Sequence, residues 1–237
     1  MRDVFAVVGD ELDPNEDTVV QQVGRDLVAR LTEVYSLSRV FRPGVTVCIA
    51  AHPRRFENGK LERALRSVLA QTRQPEAIVI VNDVERLGAS STRQRCLDGV
   101  QTEWMAWLDS DDEWLPVHLE RCLQVAQATG AMFVYPWMTP ENDPLGHFGI
   151  PFNPATPHHT TITFLVRTEI AQRVGFVDAT HQGETQKYGN EDWIHLLGLC
   201  EIAVRENLPM VHLAERTWRY HFDGLNSSGV PGQGDAK

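Results

Sequence analysis

The densest concentration of chemistry in the chain is Asp109-Ser110-Asp111-Asp112. Three carboxylates this close repel one another unless a cation or a helix dipole accepts them. Oxygen ligands of this kind suit Mg2+ or Mn2+, hard ions that keep coordination positions open for substrate phosphates. A second reading stands beside the first. Ser110-Asp111-Asp112-Glu113 has the pattern of a capping box, and Pro116 fits a first helical turn. The two are compatible, with Asp109 and Asp111 binding metal while Asp112 caps. A second acidic pair occurs in Gly189-Asn190-Glu191-Asp192-Trp193. Asn190 as N-cap with two acids behind it makes a good helix start. The same acids could supply a general base if partly exposed near the metal. Of the nine histidines, none has zinc-ligand spacing. His158, His159, His181, His195 and His212 read as surface or satisfied core residues. His221 stands apart, at the junction between a strand and a glycine-rich tail.

These groups need a scaffold, and the hydrophobic pattern describes one. Val45 to Ala51 reads as a buried strand, followed by a helical face of Leu61, Ala64, Leu65, Val68 and Leu69. Ala77 to Val81 is a second strand, stopping at Asn82-Asp83. Residues 92–100 form a short helix, and Trp104 to Leu108 a third strand, stopping at Asp109. Leu115, Leu119, Cys122 and Ala126 mark a helix closed by Gly130. Met132 to Tyr135 is a fourth strand. Such alternation predicts a parallel, doubly wound sheet, whose ligands bind beyond the carboxyl ends of the strands. Further along, residues 139–160 read as loop, and Thr161 to Val166 as a strand. Thr168 caps a helix ending before Gly175, and Asn190 caps another through about Arg205. Met210 to Leu213 and Thr217 to Phe222 are two strands. Before all this, Val4 to Val8 reads as a strand and 17–37 as an amphipathic helix.

The 237 residues suffice for one large α/β domain. The acids outnumber the bases 32 to 22, a net charge of −10. So negative a surface argues against bulk nucleic-acid or anionic-lipid binding. An anionic ligand here needs a local cation. Cys48, Cys96, Cys122 and Cys200 are widely spaced and read as reduced core residues. No apolar run approaches the ~20 residues of a membrane span, and the start has no secretory pattern. The expected location is the cytoplasm.

On these residues the chain resembles the GT-A fold glycosyltransferases of family 2, inverting enzymes that use nucleotide-sugar donors. Val45 to His52 is similar to the family's opening strand and nucleotide-binding turn, and Leu61 to Thr72 to its first helix. Val79-Ile80-Val81-Asn82-Asp83 matches its second strand, and Thr92-Arg93-Gln94 stands where Ala-Arg-Asn is common. Leu108 to Asp112 resembles the DxD signature. Arg173 to Asp178 resembles the segment before the catalytic helix. Glu191-Asp192-Trp193 is similar to the ED motif, and Trp218 to His221 to the late "YR-x-H" region. Ala51-His52, Asn82 and Gln94 depart from the usual Thr-Tyr, Asp and Asn.

The resemblance implies a GT-A (Rossmann-like) α/β fold with a mixed, mainly parallel sheet flanked by helices. It is a single domain, residues 43–222, with an N-terminal helical extension over 1–42 and a lid-like tail over 223–237. It implies Mn2+ or Mg2+ held by Asp111 and Asp109 with His221 completing the shell. A nucleotide-sugar donor, a UDP-sugar first among them, would meet Ala51, His52, Asp83, Arg93, Asp109 and Ser110. Asp83 would bond the nucleobase. Asp192 would be the general base, its pKa kept low by a helix N-terminus, with Glu191 shaping the acceptor site. The acceptor itself, a glycan, protein, lipid-linked sugar or small molecule, is not specified, nor is the oligomeric state. Two alternatives remain. A sugar nucleotidyltransferase would also use Mg2+ at strand ends, but the loop after the first strand, His52 to Lys60, has one glycine. A non-catalytic sugar-nucleotide-binding module would accommodate the departures at Ala51, Asn82 and Gln94.

Overall fold

The computed structural model describes residues 5–7, 41–52, 59–139, 146–176 and 191–221. The predicted helix over 17–37, the capping residue Asn190 and the 223–237 tail lie outside the described residues.

Among the described residues eight strands form one sheet: β1 (Phe5–Val7), β2 (Arg42–Ala51), β3 (Ala77–Asn82), β4 (Thr102–Trp107), β5 (Glu113–Trp114), β6 (Phe133–Thr139), β7 (Leu165–Arg167) and β8 (Met210–Arg219). Their order across the sheet is β1-β3-β2-β4-β7-β6-β8-β5. The first four run parallel, as the strand–helix alternation predicts. β7 breaks the pattern, lying antiparallel to both β4 and β6, and β5 is antiparallel to β8. The sheet is therefore mixed rather than uniformly parallel. β1, within the stretch set apart as an extension, pairs in register with β3 at the sheet edge, Ala6 opposite Ile80.

Five helices occur among the described residues: α1 (Lys60–Leu69), α2 (Ala89–Asp98), α3 (His118–Thr129), α4 (Thr168–Val174) and α5 (Glu191–Glu206). On α1, Leu61, Ala64 and Val68 are buried at helical spacing. α3 buries Leu119, Cys122, Leu123 and Ala126, and stops where Gly130 turns left-handed at φ 67°. The central strands are buried on both faces, which explains their unbroken apolar runs. The four cysteines are buried and free, and Trp107, Trp114, Trp137 and Trp218 are fully enclosed.

Among the boundaries that differ from the sequence reading, β7 is only Leu165–Arg167, overlapping the end of the expected Thr161 to Val166, and three others have a local cause. α2 starts at Ala89, one turn earlier than 92, because Gly88 at φ 91° ends the preceding loop. Thr168 is the first residue of α4 rather than its cap, since Arg167 still has extended backbone. The two strands over 210–222 are one, β8, which follows β6 across two register shifts. Those bulges interrupt the alternation that a single strand would show.

Candidate active site

The carboxyl ends of β2, β3 and β4 lie side by side. Ala51 sits opposite Asn82, and the Asp83 N–H donates to the Ala51 carbonyl at 2.8 Å. Beyond β4, the Leu108 N–H donates to Cys48 O, carrying the β2–β4 ladder one residue further before the acidic turn. Ala51 is buried and His52 is exposed at the mouth.

The turn itself is Asp109 to Asp112, closed by the Asp112 N–H donating to Asp109 O at 3.1 Å. No helix starts here, so the capping-box reading is corrected. Glu113-Trp114 form β5 against Trp218 and Arg219 of β8, and α3 begins only at His118, without a side-chain cap. The register of β5 and β8 brings His221 back to the turn. Its backbone N–H donates to Asp112 Oδ1 at 3.1 Å, and its Nε2 lies 3.3 Å from Glu113 Oε2. Asp112 is therefore a buried acceptor and not a helix cap. Its carboxyl is pushed well above the ordinary range by burial first and by Asp109 second.

One guanidinium ties this turn to the second acidic pair. Arg93 on α2 donates through Nη2 to Asp109 Oδ1 at 3.1 Å and through Nη1 to Glu191 Oε1. Burial alone would lower the Arg93 pKa. Asp109, Glu191 and Asp192 reverse that and leave it raised. Glu191 is buried beneath this contact. Asp192, the next residue of α5, remains half-buried and accepts the Trp193 N–H at 2.7 Å. A low pKa for Asp192 is corrected as well: burial raises it, Arg93 lowers it, Glu191 raises it again, and the balance is upward. Desolvation here outweighs the helix N-terminus.

Two further contacts shape the surroundings. Gln94, next to Arg93, accepts the Phe176 N–H at 2.7 Å, while His195 Nδ1–H donates to Gly175 O at 2.7 Å. Gly175 and Phe176, at the end of α4, are thus held from both sides. On the outer side His159 stacks on Trp193, ring centres 4.0 Å apart and planes within 25°. An isolated histidine in a proline-rich loop gives no sign of this in the sequence. Asp83 is fully engaged locally, its two carboxylate oxygens accepting the Leu87 and Gly88 N–H groups at 2.7 and 2.9 Å. That loop contact was not predicted, although an aspartate after a strand commonly closes such a turn. Ser110 is buried within the acidic turn.

The donor chemistry fits a hard divalent ion. Asp109 and Asp111 share one turn of oxygen-bearing side chains, and His221 lies against it through its N–H to Asp112. Among the described residues, no three His, Cys, Asp or Glu side chains are gathered as a metal site.

This arrangement of strand ends and acidic turn is that of the GT-A glycosyltransferase fold. Residues 84–183 match the model of glycosyl transferase family 2. The S. aureus TarS 1–349 structure superposes with a TM-score of 0.57 at 12% identity, over 74% of this chain and 59% of that one. The same protein in complex with UDP-GlcNAc gives 0.57 at 15% identity, over 74% and 58%. The mannosyltransferase PcManGT from Pyrobaculum calidifontis, in complex with GDP-Man and Mn2+, gives 0.55 at 13%, over 89% and 68%. This chain therefore spans less than two thirds of the TarS chain. No curated protein sequence matches it. No helix among the described residues is long and apolar enough to cross a membrane.

Proposed function

We propose that the protein transfers a sugar from a nucleoside-diphosphate donor to an acceptor hydroxyl, with inversion at the anomeric carbon. The observation that carries this reading is the Arg93 bridge from Asp109 to Glu191. Through it the acidic turn beyond β4 and the first residues of α5 face one another, so a donor seated at the turn has Asp192 within the same cleft. Asp192 takes the proton from the acceptor hydroxyl as that oxygen attacks, a contribution of typically ~10²–10⁴-fold. Its raised pKa favours this role, since a base closer to neutral accepts a proton more readily than an ordinary carboxylate. Glu191, buried and paired, holds Arg93 in place rather than lining the acceptor site.

Asp109, Asp111 and His221 are the residues that would hold Mn2+ or Mg2+, which would stabilise the charge developing on the diphosphate leaving group. Ala51, His52, Asp83 and Ser110 border the same end of the sheet and would meet the nucleotide. Asp83 does so through the 84–88 loop that its carboxylate braces. A UDP-sugar is the first donor to test, since TarS is described with UDP-GlcNAc; GDP-mannose is the second, after PcManGT.

The test uses the purified chain with Mn2+ and a panel of nucleotide sugars, reading donor binding by calorimetry and slow donor hydrolysis by released nucleotide. Binding and hydrolysis are expected for one donor class. Asp192→Asn is expected to keep binding and lose turnover, and Asp111→Asn to lose the metal-dependent part of binding. Donor affinity that is the same with and without Mn2+ would remove the metal from this reading. Near wild-type turnover in Asp192→Asn would remove the base.

A further inference from the structure

The first helix carries a polar stripe that the catalytic reading leaves unused. Arg63, Ser67 and Gln71 recur every four residues from α1 into the turn that follows it, and so share one face. All three bond the chain that leaves the acidic turn. Arg63 Nη2 donates to the Asp111 carbonyl at 2.5 Å. Ser67 Oγ accepts the Trp114 N–H at 3.0 Å. Gln71 donates to Leu115 O at 2.8 Å and accepts the Leu119 N–H at 3.0 Å. The stripe is thus a template, laid residue by residue along the stretch from Asp111 to Leu119.

Arg63 differs from the other two. Ser67 and Gln71 are buried, and bond a segment already fixed by β5 and α3. Arg63 is half-buried and bonds the turn itself, at a residue with no regular secondary structure. Its Nε–H is buried without a hydrogen-bond partner. An arginine placed only for solubility would keep its N–H groups in water. This one gives up hydration at Nε while Nη2 holds the Asp111 carbonyl.

We propose that Arg63 is a positioning residue for the divalent ion. By clamping the Asp111 carbonyl it fixes the turn that presents the Asp111 carboxylate, so that α1 sets metal affinity through the main chain. The inference rests on the reading of Asp111 as a metal ligand. It makes a prediction whose sign differs from simple electrostatics. Removing a cation near a cation site should tighten metal binding if charge alone matters. Removing a clamp should weaken it, by about tenfold on the scale of groups that orient metal ligands.

The experiment titrates the full chain with Mn2+ alone, reading free ion by electron paramagnetic resonance, so that donor identity does not enter. Melting temperatures are measured in parallel. Arg63→Gln and Arg63→Lys are both expected to weaken Mn2+ binding about tenfold with melting temperatures near that of the wild type. The lysine variant keeps the charge but not the planar donor, and serves if the glutamine variant does not fold. Ser67→Ala is expected to lower the melting temperature while keeping Mn2+ affinity. Affinity at or above the wild-type level in both Arg63 variants overturns the proposal, as does an equal loss in Ser67→Ala, which would show general loosening. Asp111→Asn is the control that separates the two readings. If it binds Mn2+ as the wild type does, the metal site itself is wrong and the proposal falls with it. If it loses Mn2+ while the Arg63 variants do not, only the role of Arg63 is overturned.

Discussion

Arg93 and Glu191 lie 98 residues apart in sequence and share a guanidinium–carboxylate contact in which their side chains are 11% and 9% exposed. The same arginine holds Asp109. Removing it leaves a buried carboxylate without its partner, a loss that typically costs about 3–5 kcal/mol. Arg93→Gln is therefore expected to lower the unfolding free energy on that scale and to abolish turnover. Arg93→Lys keeps the charge but offers no fork to span two carboxylates, and is expected to recover only part of either. Urea unfolding of the two variants beside the wild type checks the ordering. A glutamine variant as stable as the wild type would mean that the bridge contributes nothing.

The bridge also sets the working range of Asp192. Its pKa is raised by burial, held back by Arg93 and raised again by Glu191. As a base it must be ionised, so the rate falls as pH falls through that raised value. The acidic limb of the pH–rate profile is expected above the ordinary carboxylate range near 3.9. Arg93→Lys keeps the positive charge that lowers Asp192, so its residual activity is expected to show the limb near the wild-type position. The profile is read from initial rates under saturating donor. A limb at the ordinary aspartate value in the wild type would assign the proton transfer elsewhere.

The sequence carried the strand ends well. Val45 to Ala51, Ala77 to Val81 and Trp104 to Leu108 are dense apolar runs because their strands are buried on both faces, and each stops at a polar residue where the sheet opens. Asp109, Arg93 and Glu191 are each singled out by motif order, and the structure brings the three into contact through the Arg93 guanidinium, which the motifs do not indicate. The sequence placed a strand over Thr161 to Val166, overlapping β7, but not its antiparallel direction, which depends on the partners β4 and β6 and not on the strand's own residues. Nor did it separate a capping box from β5, since Ser110 to Glu113 satisfies the local rule for a helix start. Only the pairing of Glu113 with Arg219, over a hundred residues away, decides against it. Arg63 was invisible for a similar reason: its partner is a main-chain carbonyl, which has no residue type.

Acid should loosen the fold through two buried imidazoles. His118 is wholly buried, shares a 2.8 Å hydrogen bond with Thr217 Oγ1 and stacks on Trp114. Burial lowers its pKa to about 3. His195 stacks on Phe176 at 4.1 Å, and burial takes it to about 4. Both values lie below the roughly 6.5 of an unfolded histidine, so the unfolded chain binds more protons throughout that interval. Stability is complete above about pH 6.5 and falls as pH drops towards those folded values, by about 1.4 kcal/mol per pH unit for each histidine. Denaturant midpoints between pH 7.5 and 4.5 should show the slope. His195→Asn, which can still donate to Gly175 O, should reduce it to about half. A midpoint independent of pH across this range would mean that neither ring is held neutral.

The packing of α4 on α5 transmits to the site because α5 begins with Glu191 and Asp192. Gly198 on α5 faces Val174 on α4 so closely that an added Cβ would lie 2.4 Å from Val174 Cγ1. Gly198 is helical, and in an open helix position Gly→Ala would stabilise by about 0.5–1 kcal/mol. Here the methyl group must displace a β-branched side chain with few alternative rotamers. Overpacking of this kind costs about 1–3 kcal/mol, which exceeds the propensity gain. Gly198→Ala is expected to be less stable than the wild type, with turnover reduced as the start of α5 shifts against Arg93. Adding Val174→Ala makes room for the methyl group, so the double variant is expected to be more stable than the sum of the two single losses allows. Melting of the four proteins gives the coupling directly. Simple additivity would show that the two helices do not meet at this pair.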